Sequence, residues 1–569
     1  MISRRVFERA RTYVSRSGVP EDLEARLRAN PGGRPRALAI DVLLAAMVLS
    51  YDRHQSLALT DVHRVLTKDL ADNYQRELGL RSADGSALTV RQVRYAVSAI
   101  TSTFDYTGTA AADLPDDVRA AREASFQQML DRLTSAASTH VAPTGRYAVD
   151  ATAIESAARG RRRPKPSKAK SNAEAAEQQT VHRELAKGQD RLDLVRANCD
   201  PDARWGYRTR TYENKTNMMF GYQMLAFTRV GLAASATAGA GARQTIDDQP
   251  MLIERIAVVP GSSHGIEETI ECLDRDWLDG TPVLELLADR AFSYGTPENW
   301  AYQLRDRGIA QVLDLHQNDH GAVPHVKHGY TMVDGWPHCP SMPEHLERVD
   351  RPKVLSLRPL PRTAGVEERA AWEADRRAIE TFDAQIAERR IYRFERRAKS
   401  GSRSEQFICP AKAGKVKCAG CPLTRDFGDD VPEVTPPATL PKACKQATIC
   451  VKPTVQPKLR QDLYWGSPEW KASYGRRNRV EGTFGLMKSV KGGNLRRGWT
   501  HQVGIVKTSF LLAVAVAASN LTSLLRWAKR TGDTRDPLVL LDVTEHGFVE
   551  LDEHGRPMTG TDPPADPPS

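Results

Sequence analysis

Three acidic residues occupy positions from which their carboxylates can meet. Asp150 ends a predicted buried strand in "GRYAVDAT" (145–152), and Asp289 ends the apolar run in "PVLELLADRAFSYG" (282–295). If these two strands are neighbours in a sheet, the carboxylates lie side by side, and a helix packed across that edge adds Glu481. Three carboxylates suit Mg²⁺ or Mn²⁺, ions that serve phosphodiester chemistry by activating a water or a 3′-hydroxyl. The alternative is that each Asp is an ordinary turn residue or helix cap.

Glu481 lies within "YGRRNRVEGTFGLMK" (474–488), which predicts a helix. Tyr474, Arg477, Glu481 and Lys488 fall at spacings of three, four and seven residues, and at about 100° per residue they share one sector of that helix. All four side chains can therefore face one object. An ordinary (i, i+4) pair of Arg477 with Glu481 on a solvated face is the alternative.

The elements that position these residues follow from periodicity. Residues 1–140 carry apolar side chains at three- and four-residue intervals and predict a helical domain, with Thr89 as an N-cap. Short β-rich runs follow, and the order of three strands, helix, strand, helix, strand predicts an α/β fold with a mixed sheet flanked by helices. The strands are predicted at 145–152, 218–230, 251–260, 282–289 and 309–315, and the helices at 263–278 and 297–308.

At 569 residues the chain is long enough for two to four domains. Beyond residue 315 the periodicity is lost, apart from a helical stretch at 366–398, and a helical pattern resumes at 469 and continues to about 530. The predicted domains are a helical domain (1–140), a first part of the catalytic core (141–315) containing a basic segment (156–215), an insertion (316–465), C-terminal core helices (466–532) and a partly disordered tail (533–569).

With these residues the chain resembles the DDE transposases of bacterial insertion sequences, which have an RNase H-like catalytic fold. Many of them share a Tyr-x₂-Arg-x₃-Glu-x₆-Lys signature, which residues 474–488 match without a gap. "VDAT" (149–152) resembles the segment around the first catalytic Asp, and "LADRAFS" (287–293) the second, where Ala291 and Phe292 replace the usual Gly and Tyr. "DPDARW" (200–205) and "VVPGSSHG" (258–265) are also similar to the family.

The resemblance implies a DNA transposase that cleaves the ends of a mobile element and transfers them into target DNA. It implies that Asp150, Asp289 and Glu481 bind Mg²⁺ or Mn²⁺, and that Tyr474, Arg477 and Lys488 contact DNA phosphate near the cleaved bond. The double-stranded DNA partners would be the inverted repeats and the target, bound by a homo-oligomer assembled on DNA. A hairpin intermediate would need an aromatic platform, for which Trp205 and Trp465 are candidates, although core or surface packing also explains both. Two alternatives are a decayed or repurposed DNA-binding protein and an RNase H-like nuclease.

Charge and hydropathy favour a nucleic-acid partner in the cytoplasm. The net charge of +10 is locally concentrated in "RGRRRPKPSKAK" (159–170), where Arg161, Arg162 and Arg163 are predicted DNA contacts, unless the segment is a solvated linker. The helical domain fits DNA-end binding or, equally, dimerisation and packing. The apolar stretch 510–525 is interrupted by polar residues, which predicts a buried helix of a cytoplasmic, nucleoid-associated bacterial protein.

Eight cysteines without a secretory signal indicate reduced thiols. Five of them lie close together in sequence, and a C-x₂-C pair with flanking cysteines is compatible with a structural Zn²⁺ site. Unliganded thiols are the alternative, and Cys339 belongs instead to a looser group of loop histidines. The candidate zinc ligands are Cys409, Cys418, Cys421, Cys444 and Cys450.

Overall fold

The structure is a computed structural model. The predicted contacts Arg161, Arg162 and Arg163 lie outside the residues that it describes, as do most of the basic segment 156–215 and the tail 533–569. It describes residues 1–28, 38–81, 85–107, 113–139, 141–160, 199–209, 216–232, 249–275, 280–316, 318–324, 328–398, 405–421, 424, 431–489 and 493–532.

The described part of residues 1–140 is mainly helical, as predicted. The α3 helix is apolar on nearly all sides because it packs against both α1 and the long C-terminal helix. Thr89 caps α6 through a capping box, in which its hydroxyl accepts from Gln92 N at 3.3 Å and Gln92 Oε1 accepts from Thr89 N at 2.8 Å. The helices are α1 (Arg4–Arg16), α2 (Val19–Arg28), α3 (Ile40–His54), α4 (Leu59–Arg64), α5 (Asp72–Glu77), α6 (Val90–Thr103) and α7 (Asp116–Ser135).

A mixed sheet with flanking helices follows, which confirms the α/β class. Its strands run in the order β2-β3-β1-β5-β6, and β4 also pairs with β3. The pairs of β3 with β1, β2 and β4 are antiparallel, whereas β1, β5 and β6 are parallel. The elements are β1 (Arg146–Glu155), β2 (Arg204–Thr209), β3 (Thr216–Arg229), β4 (Ile253–Pro260), α8 (Ile266–Asp274), β5 (Glu285–Ala288), α9 (Tyr302–Asp306) and β6 (Ala310–Leu313).

Two details of this sheet differ from the sequence prediction. The β2 strand was not predicted, and β1 does not end at Asp150 but continues to Glu155. The reason for the second difference is that β1 has two neighbours of different extent. Its parallel pairing with β5 stops at Val149, whereas its antiparallel pairing with β3 continues to Glu155 opposite Gly221.

Between β6 and the C-terminal helices lies the segment predicted as an insertion. Its long helix confirms the first part of the helical stretch expected at 366–398, but the helix ends at Ile391 and the last four residues of that stretch form a strand; the strands of the segment form three small sheets. Buried ion pairs organise this segment, including Arg351 Nε with Asp314 Oδ2 at 2.7 Å and Arg389 Nη1 with Asp334 Oδ2 at 2.8 Å. Its elements are β7 (Ala322–Pro324), β8 (Thr331–Val333), β9 (Trp336–His338), α10 (Val366–Ile391), β10 (Glu395–Ala398), β11 (Glu405–Ile408), β12 (Lys417–Cys418), β13 (Glu433–Val434) and β14 (Thr448–Val451).

Three helices complete the described chain: α11 (Pro468–Gly475), α12 (Asn478–Lys488) and α13 (Ile505–Thr531). The most apolar 18-residue window of α13 has a mean hydropathy of 1.7, so by length and composition alone the helix is able to cross a membrane, yet 83% of that window is buried inside the protein. The fully buried Asn520 shows how α13 packs. Its amide bonds both backbone groups of Ile253, accepting from N at 2.9 Å and donating to O at 2.7 Å, and it donates to Thr134 O at 2.8 Å.

Substitution Asn520→Ala should therefore lower the free energy of unfolding by roughly 3 kcal/mol, because three buried backbone groups lose their partner. The measurement is chemical denaturation followed by circular dichroism. Thr522→Ala, which removes only an exposed hydroxyl contact with Asp52, serves as the control and should stay within about 0.5 kcal/mol of wild type. Equal stability of the two variants would show that the Asn520 contacts do not hold α13 to the sheet.

Candidate active site

Asp150 and Asp289 lie next to each other because of the register between β1 and β5. The last parallel pair of these strands is Val149 with Ala288, so each Asp is the next residue of its strand. The register begins at Gly145, whose carbonyl accepts from Leu284 N at 2.7 Å. Gly145 has a φ of +62°, and a Cβ there would approach Pro282 O to 2.7 Å, so a larger residue would disturb this alignment.

Glu481 reaches the same edge on α12, which packs against β1 and β3. Arg476, just before α12, fixes this helix to the sheet. Its Nη2 pairs with Glu285 Oε2 of β5 at 2.6 Å, and its Nη1 donates to Gly231 O at 2.6 Å. Sequence analysis missed Arg476 because nothing in its spacing separates it from its basic neighbours.

The predicted single helix across 474–488 is interrupted. Arg476 and Arg477 form a tight turn between α11 and α12, in which Arg477 N donates to Tyr474 O at 2.9 Å and Val480 N donates to Arg477 O at 3.1 Å. Both turn residues keep right-handed helical dihedral angles. Tyr474, Arg477 and Glu481 therefore still face one region, as the spacing predicted.

Arg477 is the positive charge at the centre of this region. Its Nη2 lies 2.6 Å from Glu481 Oε1 and its Nη1 lies 3.3 Å from Asp150 Oδ2. Its side chain is buried, and although burial disfavours the charged form, Tyr474 and the three carboxylates together raise the pKa of Arg477. The (i, i+4) pair with Glu481 is thus present, and it belongs to a larger cluster that includes both aspartates.

The carboxylates also act on one another. Burial raises the pKa of Asp150 to about 6, with the charges of Asp289 and Glu481 adding to this rise and Arg477 opposing it. Glu481 is the most exposed of the paired groups, with 52% of its side chain accessible, whereas that of Asp150 is 20% accessible. The backbone of Asp289 is extended, and its Oδ1 accepts a hydrogen bond from Arg290 N at 2.6 Å.

Tyr474 is held rigidly beside Arg477. Its ring stacks on Trp470, with centroids 4.8 Å apart and planes 7° from parallel, and Arg477 Cζ lies 5.4 Å from the Tyr474 centroid. Burial raises the pKa of Tyr474, so its hydroxyl remains a neutral hydrogen-bond donor. Lys488 ends α12, seven residues or roughly 10 Å along the helix from Glu481.

Further arginines surround the acidic edge. Asp314, immediately after β6 and only 1% exposed, pairs with Arg351 Nε at 2.7 Å and lies 3.7 Å from Arg290 Nε. Asp314 could have been identified from the sequence, because it lies at the end of a strand as Asp150 and Asp289 were predicted to do. Arg351 comes from the insertion, and no sequence pattern linked it to the site. Trp465 donates to Asp314 and is buried in the core, and Trp205 packs on Phe220, so packing explains both tryptophans.

The three carboxylates are the kind of oxygen ligand that suits a hard divalent cation, but they are not arranged as a metal-coordination site. Among the described residues, no three His, Cys, Asp or Glu side chains form a group able to hold a metal ion. Arg477 instead bridges Asp150 and Glu481 and supplies the positive charge. Three mutually repelling carboxylates, one of them with a pKa raised to about 6, are nevertheless a set of oxygen ligands that a cation such as Mg²⁺ would stabilise.

No family model matches this chain, and neither a curated protein nor a solved structure matches it. The resemblance of its motifs to DDE transposases therefore remains a prediction. The grounds for a function are that resemblance and the geometry of the acidic cluster.

The pKa of Asp150 predicts a pH dependence of stability. A carboxyl with a raised folded-state pKa contributes stability below its unfolded value of 3.8 and loses it as the pH rises through about 6. Without divalent metal, the unfolding free energy of wild type minus that of Asp150→Asn should fall by about 3 kcal/mol between pH 3.5 and pH 7. Urea denaturation of both proteins across that range measures the difference, and a difference that does not change with pH would contradict the coupled carboxylate cluster.

Proposed function

We propose that this protein is a DNA transposase whose Asp150, Asp289 and Glu481 form a metal-dependent site for phosphodiester cleavage and strand transfer. The observation that carries the proposal is the convergence of these three carboxylates, from two adjacent parallel strands and one packed helix, on Arg477. They are separated by 139 and 192 positions in the chain, so local sequence does not bring them together.

We propose that the sheet is RNase H-like. The antiparallel strands β1, β3 and β4 precede the parallel strands β5 and β6, each of which is preceded by a crossover helix, and this arrangement agrees with that expectation. The departure from the family motif after Asp289 is also compatible with an intact site. Phe292 is 3% exposed and packs on Trp300 at 5.1 Å between ring centroids, so it supports the turn from the core side.

In this proposal Asp150, Asp289 and Glu481 hold Mg²⁺ or Mn²⁺, which when bound activates a water or 3′-hydroxyl and stabilises the leaving oxygen. Asp150 must be ionised to serve as a ligand, and its raised pKa means that metal binding should become more favourable as the pH rises. If a metal ion were bound by the acids, the guanidinium of Arg477 would be available to a DNA phosphate. The stacked Tyr474 then offers a fixed hydroxyl donor beside it.

The test is cleavage of the cognate inverted-repeat DNA with Mg²⁺. Asp289→Asn should reduce the cleavage rate by at least about 10³-fold, because one of three metal-binding carboxylates loses its charge. Glu298→Gln is the control, since Glu298 is an exposed acid on the turn that leads into α9, and it should cleave as wild type does.

Wild-type turnover by Asp289→Asn would contradict the assignment. If wild type binds the DNA but neither cleaves nor joins it, a repurposed DNA-binding protein is the better description. Cleavage without strand transfer would instead favour an RNase H-like nuclease.

The helical domain offers a surface for DNA-end binding. The α6 helix buries Val93 and Val97 and exposes Arg91, Arg94 and Tyr95, the last with 67% of its surface accessible. Two arginines and an aromatic ring on one exposed helix face are suited to phosphate and base contacts. Arg161, Arg162 and Arg163 remain predicted DNA contacts of the same kind, and a homo-oligomer on DNA in the bacterial cytoplasm remains part of the proposal.

The double variant Arg91→Ala/Arg94→Ala should weaken binding to the inverted repeat and reduce the slope of log K against log salt by about 1.8, as expected for two lost phosphate contacts. Fluorescence anisotropy at several salt concentrations, with Ca²⁺ in place of Mg²⁺, measures binding without cleavage. Arg376→Ala is the matched control, because Arg376 is already paired with Glu373 and Glu380. An unchanged slope in the double variant would remove α6 from the DNA interface.

A further inference from the structure

Five cysteines converge on one place within the insertion, although they come from four separate parts of the chain. Cys339 follows β9, Cys409 follows β11, Cys418 ends β12 with Cys421 in the turn beyond it, and Cys444 lies in a short 3₁₀ turn. Each interacts electrostatically with others of the group: Cys418 with Cys339, Cys409 and Cys421, and Cys444 with all four. Sequence spacing had not associated Cys339 with this group.

The backbone around the thiols is turned towards the sulfur atoms. The amides of Ala411 and Lys412 donate to the Cys409 thiol, and the amide of Ser341 donates to that of Cys339. Among the described residues the buried Ser341 hydroxyl has no hydrogen-bond partner, and it lies close to both Cys339 and Cys418. Amide donors of this kind stabilise a thiolate, the form of cysteine that binds metal.

The C-x₂-C pair closes its own turn. Cys421 N donates to Cys418 O at 3.0 Å, so both side chains project from one tight bend. Cys409 is tied to the segment that carries Cys444 through its own amide, which donates to Ala447 O at 3.2 Å, and Cys339 is tied to the end of α10 through a 2.8 Å bond to Tyr392 O. A group bound by these thiols would therefore join several segments.

We propose that Cys339, Cys409, Cys418 and Cys421 bind one structural Zn²⁺ ion. Four thiols match the tetrahedral sulfur coordination that zinc prefers in structural sites. Cys339, Cys409 and Cys418 are buried in one apolar cluster against which Cys421 packs, whereas Cys444 neighbours the site but is not a member of that cluster. Cys450, which the sequence had included, is exposed on β14 and lies outside the group.

The four thiols lie near one another but are not arranged in a metal-coordination geometry. All eight cysteines are free, and among the described residues no three ligands are arranged around a metal position. Burial raises the pKa of Cys418 to about 11, so this thiol is protonated at neutral pH. Zinc must therefore release protons and draw the side chains inward, and its apparent affinity should increase with pH.

Such a site would add a cross-link between segments of the insertion that already pack in the main apolar core, since Cys339, Cys409 and Cys418 are all buried there. Val333, Met342 and Leu346, close to Cys339 in the chain, form a separate small apolar cluster. The zinc ion would be structural, with no open position for substrate, and the proposal does not depend on the protein being a transposase.

Differential alkylation tests the site in the full-length wild-type protein. The purified protein, loaded with Zn²⁺ and freed of excess metal, is treated with iodoacetamide before and after a chelator, and the labelled cysteines are identified by mass spectrometry. We expect Cys339, Cys409, Cys418 and Cys421 to be protected until the chelator is added. The exposed Cys199 and Cys450 are internal controls and should react in both conditions. Labelling of Cys339 that is the same with and without chelator would overturn the proposal.

Zinc content provides a second measurement. Wild type and Cys450→Ser should each retain about one zinc ion per chain, whereas Cys339→Ser should retain at least tenfold less after dialysis. If Cys339→Ser does not fold, Co²⁺ titration of the wild-type protein replaces it, with a sulfur-to-cobalt charge-transfer band expected for four thiolates. A full zinc complement in Cys339→Ser, or no such band in wild type, would contradict the assignment.

Discussion

The ion pairs of Arg477 with the acidic cluster are the interaction on which the candidate site depends. Carboxylates brought together at one sheet edge repel one another, and the partial burial of Asp150 adds a desolvation cost that raises its pKa to about 6. Arg477, itself buried, offsets this repulsion by pairing with Asp150 and Glu481. Arg477 thus holds the acids together in this structure, and in the proposed function a metal ion would compete with it for them.

The surrounding structure fixes the positions of Arg477 and the acidic residues. The parallel register of β1 with β5 makes Asp150 and Asp289 the next residues of adjacent strands. Arg476 anchors the turn before α12 to Glu285 at the start of β5, and the stacked Trp470 holds Tyr474. On the far side, Asp314 ties Arg351 of the insertion to the end of β6, so that the insertion contributes a positive charge close to the site.

Much of this arrangement was predicted from the sequence, because the periodicity of apolar residues indicates which side chains are buried. The alternation in β1 and the apolar runs of β3, β4 and β6 predicted the sheet strands, and Thr89 was correctly predicted as an N-cap. The end of β1 was predicted wrongly because a strand with two partners can continue along one of them after its pairing with the other has ended. The turn at Arg476 and Arg477 was missed because its residues keep helical dihedral angles, and the spacing of the side chains does not change there.

Contacts between distant segments could not be predicted in the same way. The spacing of Arg477 predicted a pair with Glu481, and the resemblance to DDE transposases implied a DNA phosphate contact. Its ion pair with Asp150, 327 positions away, depends on how α12 packs on the sheet. Cys339 likewise joins the other thiols only through the folding of the insertion. Sequence analysis thus identified the chemical groups, and the fold determined which of them meet.

The most direct test is a crystal structure of the protein with Mn²⁺, using the anomalous signal of the metal. The account predicts a Mn²⁺ peak between Asp150, Asp289 and Glu481, with the guanidinium of Arg477 turned away from the two acids that it otherwise bridges. A structure that contains no Mn²⁺ at these carboxylates, and in which Arg477 still bridges Asp150 and Glu481, would contradict it.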